Sequence, residues 1–314
     1  MAPGSIPCGI EIPEVFIYGA VDTALIRNFV TKAEAVGYDS LWVQEKIIGD
    51  FSMLEPVSLL TYAAALTSKL RLGTSVLLTV LRNPVQLAKS LSTLDQMSQG
   101  RLIVGDGIGL GSIKRHVPID ESIFGYTSER RVRRFTEGLK VMQALWTEPR
   151  ATVEGVFWNF KNVPMEPKPF QKPHPPIWFG GHVEAALRRA VKHGEGWMGA
   201  GSSSTADFIK ESAIIRRLLN ETQRDPAAFA ISKRVYIAVD IDRARAERRL
   251  REWFGVRYKN ADLAARVSVW GSRDECTDKL GEIVQAGAKH LVLNPVFDEM
   301  EHLGLLAKEI IPHI

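Results

Sequence analysis

Three groups of residues are equipped for chemistry, and each has a plainer role that the same residues could fill. Glu45 and Lys46 set a carboxylate beside an amine. Such a pair can orient a ligand or shuttle a proton, and it can equally be a salt-bridged pair on the rim. Gly107, Gly109 and Gly111 alternate along one short run, with Lys114, Arg115 and His116 just beyond. Glycines at that spacing can turn backbone N–H groups toward an anion, although this loop opens no helix directly. Gly180 and Gly181 precede a helical segment, with His182 beside them. Unpaired donors at a helix start favour a phosphate; a simple strand-to-helix turn explains the same glycines.

Other chemistries find no carrier. The seven His are scattered without HxH or HExxH spacing, so no metal site is expected. Neither a GxSxG elbow nor a phosphate-binding Walker pattern occurs. The seven Trp and 13 Phe read as packing rather than a base-stacking surface.

The elements that must position these residues alternate in a regular rhythm. Short apolar strands are expected at residues 7–12, 38–43, 70–78, 101–105, 176–179, 196–199, 233–239 and 289–294. Helical periodicity follows each of them. In 23–36, Leu25, Ile26, Phe29, Val30, Ala33 and Val36 return every three or four residues, and Gly37 stops the run. Pro84 suits a helix start, residues 128–146 form a long amphipathic helix through Val132, Phe135, Leu139, Met142 and Leu145, and a helix spans 243–254. Ser272 with Glu275 reads as a capping box. Prolines crowd 164–176 and forbid regular structure there.

Eight parallel strands joined by helices close into a (β/α)₈ TIM barrel, an α/β fold. The whole chain, 1–314, reads as a single barrel domain, with insertions after strand 4 and before helix 8 (255–271). A doubly wound sheet fits less well, because the first strand–helix turn lacks a glycine fingerprint. In a barrel the reactive residues lie at the C-terminal strand ends, which is where Glu45, Gly107 and Gly180 fall.

Composition bounds the partners. Of 314 residues, 45% are hydrophobic and 24% charged; 40 basic against 36 acidic residues leave a formal +4. No basic block or charged tail appears, so neither nucleic acid nor a membrane surface is an expected partner. Cys8 and Cys276 lie far apart and form no CxxC, which fits a reduced, cytoplasmic chain. The N-terminus lacks a signal-peptide pattern, and no apolar stretch reaches the roughly 20 residues of a membrane helix.

Several stretches together resemble the luciferase-like monooxygenase superfamily: Gly37-Tyr38-Asp39-Ser40-Leu41-Trp42-Val43, Leu70-Arg71-Leu72-Gly73-Thr74-Ser75-Val76, Leu94-Asp95-Gln96-Met97-Ser98-Gln99-Gly100-Arg101-Leu102, Pro175-Pro176-Ile177-Trp178-Phe179-Gly180-Gly181 and Gly194-x-Gly196-Trp197. The resemblance spans about residues 7–300 and implies a (β/α)₈ barrel using the deazaflavin coenzyme F420 or reduced FMN. The 73–76 stretch looks most like the F420-dependent oxidoreductase branch. There a bulge with a non-proline cis peptide, here Ser75–Val76, supports the tricyclic ring.

Carried over by residue, the resemblance implies that Glu45 lies beside the cofactor head group with Lys46 next to it. Gly107, Ile108 and Gly109 face the tail region, and Gly180, Gly181 and His182 lie near the phosphate. Lys114, Arg115 and His116 are the expected contact for the acidic tail or an anionic substrate. The sequence departs from the sugar-phosphate dehydrogenase subgroup at Lys46, where a histidine proton acceptor is expected, and at Leu110, where a glutamate is expected. Desolvation would equip Lys46 to replace that acceptor, with the adjacent Glu45 pushing the other way; the proton donor is unassigned. The implied activity is hydride transfer between the deazaflavin C5 and a small organic substrate bearing a carbonyl, alcohol or activated double bond. The alternatives are a reduced-FMN monooxygenase and a flavin-binding protein without catalysis. A homodimer is also implied.

Overall fold

The computed structural model describes residues 6–109, 121–125 and 130–314. Eight parallel strands form the barrel: β1 Cys8–Glu11, β2 Ser40–Val43, β3 Arg71–Thr74, β4 Leu102–Asp106, β5 Ile177–Gly180, β6 Gly196–Gly199, β7 Ala230–Val239 and β8 His290–Asn294. They pair in the order β6-β5-β4-β3-β2-β1-β8-β7, and β7 pairs back to β6, so the sheet closes. The expected (β/α)₈ barrel is borne out.

The surrounding helices are α1 Thr23–Ala35, α2 Pro56–Leu66, α3 Pro84–Met97, α4 Arg131–Thr147, α5 Glu184–His193, α6 Thr205–Glu221, α7 Arg243–Tyr258, α8 Arg273–Gln285 and α9 Glu299–Leu305. Local chemistry sets their ends. The Asp22 carboxylate accepts from the Leu25 N–H at the start of α1. Pro84 is the first residue of α3 behind an Asn83 cap. The expected capping box opens α8. In α1 the inward set is Ile26, Phe29, Val30 and Ala33, while Val36 is exposed. Val132 of α4 also faces outward.

Alternation along the strands decides what enters the barrel. Trp42 points inward, and a Cβ on Gly9 or Gly73 would collide with its indole. Trp42 stacks on Trp178 with ring centroids 5.4 Å apart. Below them His290 bridges Ser40 Oγ at 3.1 Å and Ser232 Oγ at 2.8 Å. The barrel interior is therefore a packed core, and ligands are confined to its mouth.

Two expectations need correcting. Strand β3 ends at Thr74, not residue 78; the Ser75–Val76 peptide is cis, and residues 79–81 form a 3₁₀ turn. The β-branched residues of 75–80 read as strand, yet they build the bulge. The insertion before α8 begins earlier than 255. β7 runs past the barrel rim, where Ile237–Val239 pairs with a short strand at 269–271. The segment 240–271, including α7, packs as a separate cluster around Trp253, Phe254 and Trp270 and covers that side of the mouth. The expected barrel helix 243–254 thus belongs to the insertion, and α8 takes its place in the ring.

The proline-rich stretch follows an antiparallel hairpin, residues 151–163. Among the described residues, no helix is long and apolar enough to cross a membrane.

Candidate functional site

The barrel mouth has two unlike halves. One is built on β3, β4 and β5. Within residues 72–81 all side chains are buried except Ser75 and Val76, which remain half-buried. Val76 rests on glycine: a Cβ on Gly107 would lie 2.5 Å from its Cγ2, and one on Gly180 would lie 3.2 Å from its Cγ1. Gly109, at φ +67°, leaves room for Leu78, whose Cδ2 would meet a Cβ at 2.5 Å. Gly105 meets the Thr74 carbonyl in the same manner. Glycines 105, 107 and 109 therefore let the bulged segment 74–78 lie directly on β4 and its extension.

This revises the anion-binding expectation for the glycine run. The Gly107 N–H donates to the Leu77 carbonyl at 2.9 Å, and the Leu77 N–H donates to Gly105 at 2.8 Å. Gly107 spends its donor on the bulge and has none to offer an anion. Ile108 is half-buried against the main core. Leu110, Gly111, Lys114, Arg115 and His116 lie outside the described residues.

Glu45 braces this half from behind. Ser40, Trp42 and Gln44 share the inward face of β2 and its extension, so Glu45 points away from the axis. One carboxylate oxygen accepts from the Leu78 N–H at 2.5 Å, and the other from Arg82 Nε at 2.9 Å and from Arg82 Nη2. Arg82 continues to Glu55 at 2.8 Å. Lys46 forms no pair with Glu45; its ammonium sits 4.3 Å from the centroid of Phe51. Burial, with help from Arg257, lowers its pKa, and Asp50 rather than Glu45 opposes the shift. Neither the rim salt bridge nor the expected Glu45–Lys46 antagonism is present among the described residues.

Gly181 adopts φ +150°, and its carbonyl accepts from Trp197 Nε1 at 2.8 Å. Helix α5 begins three residues later without a side-chain cap on Val183, and His182 is exposed on the rim.

The other half of the mouth is ionic and is supplied by β1, β2, β7, β8 and the insertion. Glu11 and Arg234 are both buried, with Oε1 and Nη1 3.6 Å apart. Arg234 donates to the Ser75 carbonyl at 3.2 Å and to the Tyr236 hydroxyl at 3.0 Å. Tyr236 meets the Tyr258 hydroxyl at 2.5 Å and donates to Gln44 Oε1 at 3.5 Å. The Gln44 N–H donates to Glu14 at 2.6 Å. Burial drives the Glu11 carboxyl up to about 7, against the pull of Arg234, Gln44 and Ser75. Burial and then repulsion from Glu11 push Glu14 well above the carboxylate range.

The strands expected at 7–12 and 38–43 contain Glu11 and stop just before Gln44, but the sequence pattern singled out neither of these, nor Arg234 and Tyr236. Charged residues at inward positions of otherwise apolar strands were the available signal. Arg234 is the link between the halves, since one guanidinium touches both the acid and the bulge. What results is an apolar floor beside a buried acid that is ion-paired to Arg234: a surface for a flat ligand and a carboxyl placed to exchange a proton with it.

The comparisons agree with this architecture. A protein of Kineococcus radiotolerans named F420-dependent glucose-6-phosphate dehydrogenase is 27% identical over 238 residues, covering 73% of this chain and 68% of that protein. One of the same name from Beutenbergia cavernae is 24% identical over 318 residues, covering 91% and 92%. The structure of an F420-dependent secondary alcohol dehydrogenase in complex with an F420-acetone adduct matches with a TM-score of 0.83 at 20% identity, over 99% of both chains. The oxygenating constituent of 3,6-diketocamphane monooxygenase from Pseudomonas putida, in complex with FMN, matches at 0.76 with 19% identity, again over 99% of both. Those two structures share the fold. The model of the luciferase-like monooxygenase family matches residues 17–268, and the chain belongs to that family.

Proposed function

We propose that the chain is an F420-dependent oxidoreductase. It moves a hydride between the deazaflavin C5 and a small organic substrate with a carbonyl, alcohol or activated double bond. The observation that carries this reading is Val76, seated on Gly107 and Gly180 with one face open to the mouth. A planar tricyclic ring requires such an apolar floor, together with polar groups at its edge. The Arg234 guanidinium, which donates to the Ser75 carbonyl, stands at that edge, and a Cβ on Gly107 or Gly180 would fill the cradle beneath Val76. The residues therefore fit the group.

When bound, the deazaflavin supplies the hydride chemistry. The chain's own residues do the rest. Ser75 and Val76 support the ring, with Glu45 and Arg82 holding the bulge in place. Arg234 fixes the Ser75 carbonyl and keeps Glu11 beside it. Gly181 and His182 would serve the cofactor phosphate, and Lys114, Arg115 and His116 its acidic tail or an anionic substrate. A homodimer in the cytoplasm completes this reading.

The fold likeness to an FMN-bound monooxygenase supports a second reading, a reduced-FMN enzyme. Titrating purified protein with oxidised F420 and with FMN, followed by tryptophan quenching, separates the two. Saturable quenching by F420, and loss of its visible absorption when secondary alcohols are added, is the expected result. Saturable quenching by FMN alone would overturn the first reading.

A further inference from the structure

Beside the ring floor lies a small cavity of about 20 Å³, lined by Glu11, Glu14, Gln44, Asn294 and Glu299 among others. Roughly 10–15 Å³ of such space holds one water, which then needs two to four polar partners. The lining provides them. Both Glu11 carboxylate oxygens, Glu14 Oε2 and Asn294 Nδ2 are buried without a hydrogen-bond partner among the described residues. Three acceptor oxygens and one donor surround a one-water space, and a bridging water can donate to two of the oxygens and accept from the amide.

We propose that Glu11 is the proton-exchanging carboxyl of the mouth, served by a bound water that it shares with Glu14 and Asn294. The arrangement gives the proton a route. Glu11 stands next to the bulge through Arg234, which touches both Glu11 and the Ser75 carbonyl. Glu14, Asn294 and Glu299 line the same cavity as Glu11; Glu14 and Asn294 are buried, whereas Glu299, at the start of α9, is half-buried. Three carboxyls thus lead from the barrel interior to the surface, with water between them.

This assignment rests on the oxidoreductase reading for its substrate. In the oxidising direction the substrate C–H and O–H bonds break as its C=O bond forms; the proton passes to Glu11 as a new O–H bond, and the deazaflavin would serve as the two-electron acceptor of the hydride. The proton then leaves through the water toward Glu14 and Glu299. In the reducing direction Glu11 returns a proton to the carbonyl oxygen. The surrounding charges suit both states. Arg234 of β7 and Arg257 of α7 favour the ionised carboxyl; burial and Glu14 favour the neutral one, and Glu299 faces the same cavity. Tyr236 and Tyr258 hold Arg234 from the opposite side through their hydroxyl pair.

The test compares wild type with Glu11→Gln, Glu14→Gln and Asn294→Leu. Infrared spectra of the cofactor-free protein, titrated from acid to alkaline pH, report protonated carboxyls directly. The wild type minus Glu11→Gln difference isolates Glu11 from Asp106 and Glu211, which burial also raises to about 7. The expected difference is a carboxylic-acid band that persists near neutral pH, with its midpoint displaced in Glu14→Gln and Asn294→Leu. Turnover with F420 should fall about a hundredfold in Glu11→Gln and lose one limb of its pH profile, with F420 affinity unchanged. Identical wild-type and Glu11→Gln titrations in a folded variant would overturn the proposal, as would an unaltered pH profile. Because the infrared readout needs no cofactor, a failure of F420 binding would count against the oxidoreductase reading alone.

Discussion

The two halves of the mouth solve opposite problems with opposite materials. On the β3–β5 side, side chains have been removed: glycine stands at 105, 107, 109 and 180 so that a bulged segment can lie against its neighbours. On the β1, β2, β7 and β8 side, charge has been buried, and Glu11, Glu14 and Arg234 are held where water is scarce. The first half makes shape and the second makes reactivity. Since the glycine half acts through backbone contact, its substitutions should alter ligand fit. Since the ionic half acts through proton affinity, its substitutions should alter rate and pH dependence.

The largest effect is expected at the joint between them. Arg234→Leu removes the cation and leaves Glu11 buried beside the Ser75 carbonyl. Breaking a buried pair in this way costs about 3–5 kcal/mol. Urea denaturation should show that loss at alkaline pH and a smaller one in acid, where Glu11 is protonated. A pH-independent loss would mean that Arg234 packs rather than pairs.

Glu45→Ala comes next. It leaves the Leu78 N–H and Arg82 without their acceptor, and bonds to a charged group contribute about 1.5–3 kcal/mol each. Because Glu45 is a brace, F420 affinity should weaken along with stability, and the conservative Glu45→Gln should restore part of both. A variant with lost turnover but unchanged melting would instead make Glu45 a direct participant.

The last effect is electrostatic and is read from its pH dependence. Unfolded, the Glu11 carboxyl titrates at about 4.5, and folded at about 7. Between those values the folded chain holds the additional proton, so this group lowers stability as pH rises through the window, by at most about 1.4 kcal/mol per pH unit. Glu11→Gln should therefore be more stable than wild type above pH 7, with the gap closing toward acid. Asp106 and Glu211 carry the same sign but are present in both proteins, so they cancel.

The barrel was legible because its strands and helices keep the two periods that burial enforces, and because Pro84, Ser272 and Gly37 mark their ends. The Ser75–Val76 cis bond was legible only through the family resemblance; by pattern alone Val76, Leu77 and Leu78 continue a strand. Glu45 was misread by position. It does stand at a strand end, but Trp42 and Gln44 take the inward parity and Glu45 the outward one. The same parity, applied to β1 and β7, would have singled out Glu11 and Arg234. The glycine run misled because Gly107 supplies the absence of a side chain, whereas its N–H is spent on Leu77. The insertion of 240–271 was hidden since α7 buries Ala246, Leu250, Trp253 and Phe254 at the spacing of any ring helix, and only its packing around Trp253 and Trp270 removes it from the ring.

The division of labour is tested most directly by F420 affinity, measured by tryptophan quenching in two variants side by side. Gly107→Ala puts a Cβ 2.5 Å from Val76 Cγ2 and must displace the floor. Overpacking of that kind costs about 1–3 kcal/mol, or roughly a 5- to 150-fold loss of affinity if the ring meets Val76. Glu11→Gln, isosteric and in contact with none of these glycines, should bind F420 as wild type does. The opposite pattern, with affinity kept in Gly107→Ala and lost in Glu11→Gln, would contradict a mouth in which glycine shapes the floor and the buried acid handles the proton.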